Sequence, residues 1–101
     1  MIRHVALGRL KPGVEAGEIR PVLEAIAALR TPGLLDCRTG TDERLREQTW
    51  DFAITVDLED VAAYRAYDTD AEHDRIRKEQ LLPLTAELVR VQFSTPAAQE
   101  T

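Results

Sequence analysis

The chain is poor in cysteine, in basic charge, in histidine and in long apolar runs, and each scarcity closes off a class of function. Its single cysteine, Cys37, cannot form an intrachain disulfide and does not by itself suggest a zinc site. A formal net charge of −5 argues against nucleic acid as a partner, because that footprint needs a basic stripe. No apolar run approaches membrane-spanning length, so no membrane role is expected, and Met1-Ile2-Arg3-His4 lacks the apolar core of a secretion signal. The expected location is cytoplasmic. A glycine-rich phosphate loop, a nucleophile elbow and a metal-spaced histidine pair are all missing from the sequence. The acidic group Asp68, Asp70, Glu72 and Asp74 lacks the central glycine and closing glutamate of a calcium loop and reads as a solvated helix start. Neither a metal nor a cofactor is therefore expected.

What is present describes one ordinary soluble domain: 101 residues, 44% hydrophobic and 31% charged. The clearest pattern is the alternation Trp50-Asp51-Phe52-Ala53-Ile54-Thr55-Val56-Asp57-Leu58, a strand with one apolar face. Ile2–Leu10 and Leu34–Thr39 alternate less cleanly, the latter grouping Leu35, Cys37 and Thr39. Leu88–Phe93 groups Val89, Val91 and Phe93 against Arg90 and Gln92. Helical spacing of Ile19, Val22, Leu23, Ile26 and Leu29 predicts a helix over 14–30, with Pro21 near an early turn or a mild kink. A second helical region runs from Asp60 to Tyr67, breaks near Asp68-Thr69-Asp70, and resumes from Ala71 to Leu82 with Asp70 as its cap.

The order β-α-β-β-α-β is that of an α+β, ferredoxin-like domain, an antiparallel sheet with both helices on one face. The domain is expected over 1–95, with 96–101 a frayed tail and Asp42–Gln48 a charged, mobile hairpin loop. The uncovered sheet face would show Arg3, Val5, Leu7, Ala53, Thr55, Asp57, Arg90 and Gln92. Its small apolar centre predicts a homodimer, two sheets closing into a barrel.

Both histidines fall at inward positions. His4 has the parity of Ile2, Ala6 and Leu10, and the smallness of Ala6 and Gly8 predicts space between sheet and helices. His73 follows the helix break, six residues after Tyr67. Two readings stand side by side: satisfied core residues, or a small acid/base site in which neutral imidazole moves a proton near physiological pH. Cys37 has the parity of the covered face, where it would line a pocket or sit as a buried, inert thiol.

Several features, in order and spacing, resemble the stress-responsive A/B barrel (Dabb) family. They are Met1-Ile2-Arg3-His4-Val5 running into Leu10-Lys11-Pro12-Gly13, Pro32-Gly33 before a strand ending at Gly40, and Trp50-Asp51-Phe52-Ala53 opening the third strand. Tyr67 six residues ahead of His73 and a closing apolar strand complete the set. The resemblance covers 1–96 and implies a dimeric α+β barrel. By similarity to a plant polyketide cyclase of that family, which uses no cofactor, His73 and Tyr67 would be catalytic and His4 would support them. His73 would serve as base, Tyr67 as donor to an enolate oxygen, and His4 would polarise or hold a carbonyl. Leu23, Ile26, Cys37, Phe52, Ile54, Val56, Val89 and Val91 would wall a pocket for a small apolar or polyketide-like ligand. Phe52 stands where that enzyme has a further histidine, and Val22, Leu23, Ile26 and Ala86 replace its bulky aromatics, so the pocket would differ in shape. Besides a cyclase or related lyase or isomerase, two alternatives stay open. One is a non-catalytic stress-responsive or ligand-binding dimer. The other is a cofactor-free monooxygenase of the antibiotic-biosynthesis type, for which Trp50 is the only hint.

Overall fold

The alternation in the third strand becomes an alternation of burial. In a computed structural model that describes residues 1–96, Phe52, Ile54, Val56 and Leu58 are buried while Ala53, Thr55 and Asp57 are half-buried. The expected tail over 96–101 lies, Pro96 apart, outside the described residues. The elements follow the expected order: β1 Ile2–Leu10, α1 Ala16–Ala27, β2 Leu34–Thr41, β3 Phe52–Leu58, α2 Val61–Asp68, α3 Ala71–Ile76 and β4 Thr85–Ser94. Between α3 and β4 the chain winds through a wide turn, Arg77–Leu81, and a tight one, Leu82–Leu84, that contains Pro83. The sheet is antiparallel throughout, in the order β2-β3-β1-β4. No helix among the described residues is long and apolar enough to cross a membrane.

One stripe of α1, formed by Ile19, Val22, Leu23 and Ile26, packs with Val56, Leu58, Tyr67 and Ile76 into the core. The Glu18 carboxylate accepts from the Glu15 amide at 2.6 Å and so satisfies one of the free donors at the helix start. Pro21 lies deeper in α1 than an early turn. It is tolerated because its side of the helix is exposed, where water can serve the carbonyl its ring leaves unpaired. Gly33 ends the turn after α1 at φ +80°, and a Cβ there would meet Ala63 of α2 at 2.5 Å. Only glycine meets both demands.

Three expectations are corrected by the register. The expected grouping of Leu35 with Cys37 fails because the β2–β3 pairing shifts between Leu34 and Asp36, so Leu34 turns to the core and Leu35 is exposed. The space expected beside Gly8 is filled: Phe52 sits opposite it, and a Cβ at Gly8 would overlap the ring. Most consequential is β4. Val89 pairs with Leu7, Val91 with Val5 and Phe93 with Arg3, so all three lie on the face away from the helices. They are 41%, 54% and 45% exposed, and Arg90 and Gln92 take the helix side instead. The uncovered face is thus more apolar than expected, a band of Val5, Leu7, Ala53, Val89, Val91 and Phe93 edged by the Arg3–Asp57 ion pair at 2.7 Å.

The loop from β2 to β3 is anchored rather than free. Asp42 accepts from the Arg44 amide at 3.0 Å and the Thr49 hydroxyl at 2.7 Å. Asp51 accepts from the Leu10 amide at 2.7 Å and from the Arg44 guanidinium at 2.5 Å.

Candidate active site

Tyr67 and His73 belong to two short helices that meet at a corner. Asp60 caps α2 by accepting from the Ala63 amide at 2.8 Å, and Asp70 caps α3 by accepting from the His73 amide at 3.0 Å. The capping interaction settles where α3 begins, and with it the direction of the His73 side chain. The two rings come to 4.4 Å between centroids with their planes inclined by 39°. His4 enters from β1 beneath them, 6.3 Å from the Tyr67 ring and 5.6 Å from that of Tyr64. The Gln92 amide nitrogen donates to His4 Nδ1 at 2.8 Å, so neutral His4 carries its proton on Nε2.

The surroundings favour the neutral forms of His4, His73 and Tyr67. Burial, reinforced by the positive charge of Arg90 and by His73, holds His4 below the usual imidazole range. Burial and Arg77 do the same to His73, against the opposing pull of Asp68, Asp70 and Asp74. Burial pushes the Tyr67 phenol well above its ordinary value, with Cys37, Asp68 and Asp70 adding to it. A neutral imidazole can take a proton and a firmly protonated phenol can donate a hydrogen bond, which is a workable acid/base pair.

A cavity of about 30 Å³ joins the three side chains. Its walls include Ile26 and Ile54, together with Asp68, Arg77, Leu81, Leu88 and Arg90. Leu23, Phe52 and Cys37 face the helix side but lie outside this lining, and Val89 and Val91 are excluded by the reversed face of β4. Burial and the neighbouring Asp36 push the Cys37 thiol up to about 11, the behaviour of an inert core cysteine. The acidic group around the corner is spent on local work: Asp70 caps α3, Glu72 pairs with Arg75, and Asp74 pairs with Arg77 and Lys78. Trp50 lies elsewhere, beneath the Arg9 guanidinium at 4.0 Å, in an open groove along the far face of the sheet.

Arg77 and Arg90 were absent from the expected site. Arg77 was accessible to spacing, since it stands four residues after His73 on the same helical face. Arg90 depends on the pairing of Arg90 with Ala6, a long-range register that spacing along the chain does not carry.

The stress responsive A/B barrel domain family matches residues 2–95. This chain belongs to that family. A dimeric ferredoxin-like protein of unknown function from Thermobifida fusca is 32% identical to this Dabb chain, with a TM-score of 0.82 over 93% of this chain and 90% of its own. Two enzymes share the fold. The hydroxynitrile lyase from Passiflora edulis is 17% identical, with a TM-score of 0.78 over 98% of this chain and 96% of its own. An antibiotic biosynthesis monooxygenase is 14% identical, with a TM-score of 0.76 over 95% of this chain and 99% of its own. At those identities the likeness speaks for the fold alone. No curated protein matches the chain at a significant level.

Proposed function

We propose that this Dabb protein is a homodimeric, cofactor-independent acid/base catalyst of the cyclase or lyase type, acting on a carbon acid next to a carbonyl. The observation that carries this reading is the single cavity shared by Tyr67, His73 and His4, with both imidazoles held neutral. His73 removes a proton from carbon between two carbonyls, and the Tyr67 hydroxyl donates to the enolate oxygen that forms. In ring closure the enolate carbon attacks a second carbonyl of the same molecule, and His73 returns its proton to the new alkoxide. One C–H bond and the π bond of the attacked carbonyl are exchanged for a C–C and an O–H bond, with no net oxidation. His4, fixed by Gln92, offers Nε2–H to a substrate carbonyl.

The cavity holds about the volume of one water, so it would admit a carbonyl tip, and the rest of a polyketide-like molecule would lie outward between α3 and β4, where Arg90 and Gln92 are exposed. That small volume is the observation favouring the alternative of a ligand-binding or stress-responsive dimer without chemistry. The dimer itself is supported by the apolar band on the open face and by the dimeric Thermobifida fusca relative. The monooxygenase reading has less support, because Trp50, its one hint, lies outside the cavity.

Substitution decides between catalyst and packing. With a linear β-polyketide offered both as the thioester and as the free acid, His73→Ala and Tyr67→Phe should each lower kcat at least ~100-fold, within the usual range for a lost acid or base. Thermal stability should stay close to the parent's. Loss of a few kcal/mol of stability in both variants, with no turnover by the parent chain, would make the pair a packing element.

A further inference from the structure

Three side-chain nitrogen or oxygen atoms are buried without a hydrogen-bond partner among the described residues, and two of them belong to the cavity lining: His73 Nδ1 and Arg77 Nε. A buried donor left idle is costly, and such pairs commonly mark a place for a ligand or an ordered water. Arg77 is held in position by Asp74, which accepts from Nη2 at 2.7 Å and leaves Nε–H without a partner. Across the opening stands Arg90, paired in register with Ala6, whose small side chain leaves the arginine stem room over the sheet. None of the ion pairs among the described residues uses Arg90. In a chain of net charge −5, two guanidinium groups and one carboxylate, Asp68, therefore line this one cavity.

We propose that Arg77 and Arg90 form a carboxylate-binding site at the mouth of the cavity, so that the molecule taken by this site is a small carboxylic acid bearing a carbonyl. The proposal rests on the catalytic reading above only for the carbonyl; the carboxylate stands on the arginines. Guanidinium groups match the planar, two-oxygen geometry of a carboxylate and are weakly hydrated, which suits a half-buried ion pair. A volume of about 30 Å³ matches the share of one liquid water, ~30 Å³. That space is too small for the whole anion, so the carboxylate lies at the mouth, its planar pair of oxygens facing the two guanidinium groups. A bound carboxylate also offsets the positive charge that Arg90 and Arg77 impose on His4 and His73. The ligand thus restores basicity to the imidazole beside it.

With only two histidines, the imidazole Cε1 protons can be followed by NMR in the full chain, using acetate as probe and its neutral, same-shaped counterpart acetamide as control, at fixed ionic strength. Acetate should shift the His73 resonance saturably and raise its titration midpoint, while acetamide and inorganic phosphate do neither. Arg90→Gln, an exposed position where folding is not at risk, should weaken acetate binding at least tenfold, and Arg77→Gln should do the same. Equal responses to acetate and acetamide, unchanged acetate affinity in Arg90→Gln, or displacement of acetate by phosphate would each overturn the proposal. Acetate binding in a chain without turnover sinks the catalytic reading and leaves this site standing. Turnover without an acetate response does the reverse.

Discussion

β3 and β4 carry nearly the same alternation of apolar and polar residues, yet they turn opposite sides of it toward the helices. β3 lies inside the sheet under the helices, and Phe52, Ile54, Val56 and Leu58 point into the core. β4 is an edge strand, and Val89, Val91 and Phe93 point away from the helices while Arg90 and Gln92 look toward the site. The difference lies in what each strand borders. Beneath the helices β3 meets mainly the apolar core, with Ile54 reaching the cavity wall, whereas the inner side of β4 forms the opening of a polar cavity and its outer side joins the apolar band assigned to a second copy. An amphipathic strand in such a sheet has two dry sides to choose from, and its own pattern does not say which one belongs to the monomer.

The comparison can be broken most severely on the outer side. Val91→Asp should place an unpaired charge in each half of the proposed dimer seam, at ~3–5 kcal/mol apiece by analogy with a broken buried ion pair. Sedimentation velocity at micromolar concentration should then give half the mass, with circular dichroism unchanged. A dimer that survives this change does not use β4's outer side. On the inner side, Phe52→Ala should remove about 3–5 kcal/mol from the monomer's own stability, because it empties the volume over Gly8 as well as losing the ring. Denaturant titration of both variants distinguishes the seams: the outer change should make the midpoint less dependent on protein concentration, the inner change should lower it at every concentration.

The smallest expected effect concerns the histidines of the covered face. Their folded-state pKa values lie below the unfolded value of about 6.5, so the folded chain binds fewer protons than the unfolded one. Stability is therefore whole above about pH 6.5 and declines as pH falls from there toward the folded values, by at most ~1.4 kcal/mol per unit for each histidine. Denaturant midpoints between about pH 7.5 and 5 should show that slope, and the double variant His4→Gln, His73→Gln should lose it. A slope that survives both substitutions would belong to carboxylates instead.

The sequence carried the features that are set locally. Element order, the caps at Asp70 and the Tyr67–His73 separation depend on neighbours a few residues away, and family resemblance attached meaning to that separation. Features set by pairing across the sheet were misread. Gly8 suggests a void by size alone, but β3 places Phe52 opposite it, and Arg90, expected on the uncovered face, is turned to the helix side by its pairing with Ala6. Both errors share a cause: hydrophobic periodicity reports which residues share a side, while register decides what that side confronts.

The helix that carries His73 has only six residues, too few to hold its shape in water by propensity. Its order is borrowed from the Asp70 side chain at one end and from buried Ile76 near the other. Occupancy and folding of this segment are consequently linked: a ligand at free concentration L between α3 and β4 should slow amide hydrogen exchange through 71–81 by up to RT ln(1 + L/Kd), for every opening that abolishes its binding. The backbone of that short stretch is a built-in reporter, able to register a ligand before any product has been identified.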